Sequence, residues 1–449
     1  MRQKTIKWKI IAAVISVLIT ALIWQKGLQD SLDRPSVAPK LSLKQQEVSI
    51  VASSSLPEKI RTFLIGENPE LTIKDTLKKY PLNEITDRER LVLASITKSI
   101  DARAEILKEP FKNDYFLSIK KFLLEESTFT KPIETLNSIE KYKSDPFLYR
   151  VSCKAILSQE YCFDNKSSRY AVLKLFLLQF FPVFATFVGL ILVIRQAWLL
   201  FRKKTKKVVD ISLFPLTTVD MILLISGGFV VLGEIILPTI VVPLSSLLTK
   251  GLSGPLDSSI KIFIGYVSMT IPPLFILKRQ INTFQSSDEP LGGWLQWKIK
   301  PLNSALISAI KGWFMVMPFV LFSGWLITVL FGDQGGSNPL LDLVLNSKDK
   351  TALIILLITT IGLAPFFEEL IFRGALLPAL YNKVGNSWSI IISALVFALA
   401  HLSIGELPAL FVLGVGLGVL RVNSGRLFPC ALMHSLWNAI TFANLLLLA

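Results

Sequence analysis

The sequence predicts an all-α, polytopic membrane protein of about eight to nine transmembrane helices with a small helical exported domain. Three observations predict it. The 449 residues are 51% hydrophobic with a mean hydropathy of +0.53, too apolar for an ordinary soluble chain. From residue 170 onward, long apolar stretches recur between short polar loops. The Lys and Arg residues of those loops fall in alternate loops, as membrane flanks do.

The net charge of +15 follows from that last pattern, because the bases cluster beside apolar stretches rather than forming a groove-binding patch. Nucleic acid is therefore excluded as a partner, and the lipid bilayer is the expected one. Of the three cysteines, Cys153 and Cys162 share the long polar segment and Cys430 lies in the last apolar stretch. No CxxC is present, which argues against thiolate zinc sites. If the polar segment is exported, Cys153 and Cys162 can pair as a disulfide; otherwise they are two unrelated thiols.

The chain opens MRQKTIKWK and then runs apolar from Ile10 to Trp24. A basic start before an apolar run resembles a signal sequence, but no small-x-small cleavage site follows. Residues 1–25 are therefore read as a signal anchor or first transmembrane helix, with cleavage as the alternative. Residues 26–168 form a polar, mostly helical domain. Apolar residues recur at three-to-four spacing from Glu89 to Leu107 and from Asp114 to Leu124, and prolines at 57, 69, 81 and 110 punctuate it. Nothing in this domain suggests catalysis.

The candidate spans beyond it are 172–194, 218–243, 259–277, 304–331, 351–372, 387–402, 408–420 and 428–448. Residues 170–300 thus hold additional helices and a loop, and 304–449 the remaining core. The stretch 285–300 carries Trp294, Trp297, Lys298 and Lys300 and reads as an interfacial loop or helix. With the N-terminus cytoplasmic, Arg195, the run Arg202, Lys203, Lys204, Lys206 and Lys207, then Lys278, Arg279, Lys298, Lys300, Arg373, Lys383, Arg421 and Arg426 all fall inside. Residues 26–168 are then on the exported side.

Both histidines of the chain, His401 and His434, lie in its last fifty residues. Upstream are the adjacent acids Glu368 and Glu369, with Arg373 four residues beyond Glu369. Ionisable groups inside a membrane are costly and rare unless they serve a site. Neighbouring helical residues point about 100° apart, so one acid can face a cavity while the other pairs with Arg373. The bland reading is a charge cluster at the membrane edge. For His401 the bland reading is a structural imidazole bonded to a neighbouring helix. His434 and Asn438 are one turn apart and share a helix face, where they can hold a developing oxyanion or simply join helices. Gly414 and Gly418 make a GxxxG face, read as packing.

Taken in order, Glu368-Glu369-x-x-x-Arg373, Phe397-x-x-x-His401 and His434-x-x-x-Asn438 fall on three apolar segments within 71 residues. This pattern resembles the CAAX-protease and bacteriocin-processing (Abi) family of intramembrane endopeptidases, over roughly residues 304–449. The resemblance implies that Glu368 activates a hydrolytic water, that His401 shares the task, and that His434 and Asn438 steady the oxyanion. Glu369 and Arg373 would orient the site. The substrate would be a membrane protein or lipidated peptide. The family is described as metalloproteases, yet a metal-free glutamate mechanism is also argued for it. If zinc is bound, Glu368, His401 and His434 are the donors, although HExxH is absent. A non-catalytic membrane scaffold or immunity-type protein is the alternative, and a transporter a weaker third, since no internal repeat is visible.

One feature of the spans conflicts with a shared site. Glu368 sits near the end of 351–372 whereas His401 falls about fourteen residues into its own span, too far apart for straight, perpendicular helices. A span continuing past Arg373 to about Leu380 would bring the glutamates to mid-membrane.

Overall fold

The computed structural model describes residues 2–66, 68–78, 81–82, 85–111, 113–124, 139–157, 162, 164–204, 211, 214–290, 292–332 and 335–449; Lys206 and Lys207 lie outside them. Among these residues helices are the only regular structure. The chain divides into two compact units, one of Met1–Val37 with Val183–Leu447, the other of Ala38–Pro182.

The larger unit is the membrane unit. Among the described residues, eight helices are long and apolar enough to cross a bilayer: Lys7–Leu32, Asn165–Phe201, Thr218–Leu248, Gly254–Ile281, Leu302–Phe331, Lys350–Leu399, Leu407–Ser424 and Phe428–Leu448. Leu18, Leu22, Phe187, Ile194 and Trp325 are exposed along them, as a lipid solvent permits. The expected spans 351–372 and 387–402 are one run, Lys350–Leu399, because the helix continues past residue 373 in π-helical form instead of ending there. At 50 residues it would extend about 75 Å if straight, far beyond one bilayer. It turns instead at Gly385, whose φ of 76° is open to glycine and costly to other residues. Glu368 therefore lies midway along the first limb, and the depth conflict disappears.

That limb is irregular on both sides of the glutamates: Ile358–Leu363 and Leu370–Leu376 are π-helical. Prolines explain the positions. Pro365 and Pro378 have no N–H, so the carbonyls four and five residues before each lose a donor. Side chains from neighbouring helices supply the missing hydrogen bonds. Asn438 Nδ2 donates to the Thr360 carbonyl at 2.8 Å, and Arg421 Nε to the Arg373 carbonyl at 3.1 Å. Irregular backbone at membrane depth persists only where protein re-satisfies it.

The described residues of 285–300 form the loop of the expected pair, loop or helix, with one short turn at Ser286–Asp288. Gln296 Oε1 accepts from Arg421 Nη2 at 2.7 Å, and the Trp297 ring lies 5.6 Å from that of Phe366.

The smaller unit is a helical bundle around a core that includes Ile50, Leu91, Leu107, Ile119, Tyr142, Leu148 and Cys153. Proline opens its helices Pro69–Leu77 and Pro146–Ile156, where the missing N–H costs nothing, and Thr86 with Glu89 forms a capping box. Cys153 and Cys162 are joined by a disulfide. Arg88 links two elements: it donates to both Glu47 oxygens at 2.8 Å and to Asp145. Burial pushes the Asp145 carboxyl up, but the Arg88 guanidinium outweighs it and holds it below the usual carboxylate value. A depressed folded pKa stabilises above the unfolded value of about 3.9 and is lost as pH falls through the folded one. Amide protection in Asp87–Ile96 and Pro146–Ile156 should therefore be flat from neutral pH down to about 5 and fall below about pH 4. Unchanged protection factors in hydrogen exchange at pH 3 would refute this.

Candidate active site

Glu368, Glu369, Arg373, His401 and His434 come together within the membrane unit. Glu369 and Arg373 sit one turn apart on the same limb and are wholly buried. Arg373 Nη1 donates to Glu369 Oε1 at 2.8 Å, Nη2 donates to the Gly414 carbonyl at 3.1 Å, and the guanidinium lies 4.4 Å from the centre of the Phe397 ring. Gly414 also lets its helix pack closely on Ala394, which a Cβ there would meet at 3.0 Å. His434 turns Nδ1 to Glu369 Oε1 at 3.0 Å. Glu369 is thus the inward support of an imidazole, held in turn by an arginine.

Glu368, about 100° round the helix, points elsewhere. Its Oε1 accepts from the Tyr266 hydroxyl at 2.8 Å. Its Oε2 faces both imidazoles, 4.0 Å from His401 Nε2 and 3.9 Å from His434 Nε2. Both gaps exceed hydrogen-bond reach. Glu368 and His401 keep 12% and 22% side-chain exposure while His434 keeps 3%, so the gap opens towards Glu368 and His401.

The tautomer of His401 follows from its partner. Nδ1 lies 2.8 Å from the Phe397 carbonyl, which only accepts, so Nδ1 donates. In the neutral ring Nε2 is then a bare acceptor aimed at Glu368. Phe397 also meets the rings of His401 and His434 edge-on, at 4.8 and 5.6 Å between centres. The phenylalanine of the second motif is thus the wedge between the two imidazoles.

Asn438 shares the face of His434, and one of its amide hydrogens is committed to Thr360. It retains a second. Two further polar residues lie on helices that carry none of the three motifs: Tyr266 on Gly254–Ile281 and Glu234 on Thr218–Leu248. Among the described residues Glu234 Oε2 is buried without a hydrogen-bond partner, and its carboxyl is close enough to interact with that of Glu368. An acid in the middle of an apolar span was the signal for Glu234; a tyrosine in a span carries no such signal.

Zinc can be tested against this donor set. Glu368 Oε2 and two Nε2 atoms are suitable types, and both imidazoles have the Nδ1 partners that zinc-bound histidines use. Tetrahedral zinc holds its ligand atoms roughly 3.3–3.5 Å apart. The spacing of 3.9 and 4.0 Å is wider, and among the described residues no group of three His, Cys, Asp or Glu is arranged to hold a metal. The residues as they stand do not fit a metal.

Beside the site, an apolar cavity of about 440 Å³ is lined by Thr270, Leu274, Trp297, Gly362, Leu363, Phe366, Phe367 and Leu370. It adjoins the glutamate turn and offers no charged group.

Residues 350–440 match the family described as type II CAAX prenyl endopeptidase Rce1-like, and residues 38–173 match a domain of unknown function. The chain is 27% identical over 151 residues to the membrane-embedded CAAX protease MroQ of Staphylococcus aureus, covering 32% of this chain and 60% of that protein. It is 33% identical over 93 residues to an uncharacterized protein of Mycoplasma capricolum, covering 20% of this chain and 27% of that one. The chain therefore spans less than two thirds of either relative. No solved structure matches it. The C-terminal segment carries a CAAX-protease-like domain in a multi-pass membrane protein.

Proposed function

We propose, from the Rce1-like endopeptidase domain in its C-terminal segment, that this protein is an intramembrane endopeptidase hydrolysing a peptide bond of a membrane-associated protein or peptide. The observation that carries the reading is the convergence of Glu368 Oε2 with His401 Nε2 and His434 Nε2, at 4.0 and 3.9 Å. Glu368 Oε2 and the His401 Nε2 lone pair face each other across a gap that a single water, with two protons to donate, can bridge, and His434 Nε2 stands beside it.

In this reading Glu368 takes a proton from that water and its oxygen adds to the scissile carbonyl. The His401 Nε2 lone pair accepts a hydrogen bond from the second water O–H and orients the nucleophile, and that proton stays with the new carboxyl group. The tetrahedral oxyanion receives the free amide hydrogen of Asn438 and, with a proton taken from solvent onto His434 Nε2 before the attack, that N–H as well. Glu369 behind His434 Nδ1 stabilises the charge that the ring then carries, with Arg373 fixing Glu369. As the C–N bond breaks, the proton on Glu368 passes to the leaving amine. A metal, if one were recruited, would polarise the carbonyl; no step here requires it. The apolar cavity beside Phe366 and Phe367 suits an apolar side chain or a lipid tail near the scissile bond. The N-terminus is cytoplasmic and the smaller unit exported, on the distribution of loop bases.

One observation favours the rival scaffold reading: Asn438 has a structural partner in Thr360. Nothing structural accounts for the free Oε2 of Glu368 directed at two imidazoles. The test is cleavage of a fluorogenic peptide library by the full chain in liposomes, with and without a chelator. Cleavage undiminished by chelation is expected. Activity lost to chelation and restored by zinc would overturn the metal-free mechanism, and no cleavage by a well-folded protein would favour the scaffold.

A further inference from the structure

His401 lies in the turn just after its limb ends at Leu399, and the loop that follows is unusual. Leu402 has φ of 47°, a left-handed backbone that residues other than Gly, Asn and Asp rarely adopt. Such a conformation persists only where the surroundings hold it. What holds it is the exit of the first helix, more than 300 residues away in sequence and outside all three motifs.

The contacts are polar and specific. Arg34 Nη2 donates to the Leu402 carbonyl. Ser31, wholly buried, accepts the Ile404 N–H on its hydroxyl at 3.0 Å. The segment 335–338 closes the arrangement. Gly336 N–H donates to the Arg34 carbonyl at 2.8 Å, Val37 N–H to the Ser337 hydroxyl at 3.0 Å, and the Ser403 hydroxyl to the Gly336 carbonyl. Asn338 N–H donates to Glu406 at 2.8 Å, and Glu406 interacts with both Arg34 and His401. Two chain segments, 31–37 and 335–338, thus fix the loop that begins at the imidazole. The His401 ring itself is hydrogen-bonded through Nδ1 to the Phe397 carbonyl of its own helix.

We propose that Arg34, with Ser31, is a positioning residue for His401: the exit of the first helix locks the 402–406 loop and so sets the reach of His401 Nε2 towards Glu368. The inference rests on the proteolytic reading of the site. It has a corollary for the N-terminus: a chain cut beyond Arg34 would lose Ser31 and Arg34 and release the loop.

The test uses the full chain in liposomes and the best-cleaved peptide of a fluorogenic library. Arg34→Ala should lower kcat roughly 10- to 100-fold with KM little changed, the scale of a misplaced catalytic group. Arg34→Lys, which can still donate to Leu402, should recover part of the loss, and Ser31→Ala should reproduce it in weaker form. Intact mass of the active wild type should include Ser31 and Arg34. Unchanged kcat in Arg34→Ala overturns the proposal. So does a loss that tracks a lowered melting temperature in every variant without recovery by lysine, or a fully active chain beginning beyond Arg34. Glu368→Gln is the control. If it cleaves as well as wild type, or if wild type cleaves nothing, the proteolytic reading itself fails and the proposal with it.

Discussion

Glu368→Gln should abolish cleavage while leaving the protein folded. The amide is nearly isosteric, and its oxygen can still accept the Tyr266 hydroxyl that now bonds Oε1 at 2.8 Å. What disappears is the basic oxygen facing His401 and His434. General-base groups contribute on the order of 10²–10⁴-fold, or about 3–5 kcal/mol of barrier at 1.36 kcal/mol per decade. The loss should fall on kcat with KM little changed, because the group acts on water rather than on the substrate's binding contacts. Melting in detergent should not drop, since the substitution removes a costly carboxylate from the membrane interior. The scaffold reading expects the opposite: altered stability and no lost activity. A Glu368→Gln protein within twofold of wild-type kcat would remove the catalytic claim.

The largest effect on stability is expected from Arg373→Met. The substitution keeps length and apolar bulk but leaves Glu369 wholly buried without its cation. Breaking one side of a buried pair typically costs about 3–5 kcal/mol. The Gly414 carbonyl also loses its donor, and the Phe397 ring loses the cation above it. Arg373→Met with Glu369→Gln should be less destabilised than Arg373→Met alone, because the uncompensated charge is gone. Even so, the double variant should stay impaired in kcat, since His434 Nδ1 then faces a neutral amide instead of a carboxylate. Thermal melting of the four proteins completes the cycle. Equal melting of the single and double variants would show that the charge pairing is not what the site depends on.

The disulfide, the aromatic wedge and the proline-linked contacts illustrate different degrees of legibility. Cys153 and Cys162 are nine residues apart, and the sequence left their pairing open; the packing of Pro146–Ile156 brings them together. Phe397 belonged to a motif without a stated task, and only the packing reveals it between His401 and His434. Asn438 reads from spacing as a partner of His434. That it also replaces the hydrogen bond denied by Pro365 is visible only once Phe428–Leu448 and the 350–384 limb are side by side.

What the sequence by itself determined is the all-helical membrane architecture and the identity of the polar residues at the site. Both are local properties: apolar runs must be helical to satisfy their backbone in lipid, and ionisable residues are rare enough there to stand out. Helical spacing likewise decided that Glu369 could pair with Arg373. The tertiary structure decided what depends on distance through space. It continued the 350–399 run to its turn at Gly385, so that the glutamates reach the depth of His401. It separated the roles of two adjacent acids by what each meets, an arginine and an imidazole for Glu369, a tyrosine and an open gap for Glu368. It also brought Tyr266, Glu234 and Arg34 to the site or its supporting loop from helices with no motif. Hydrogen bonds act over about 3 Å and specify no sequence separation, so partners hundreds of residues apart leave no periodic trace in the chain.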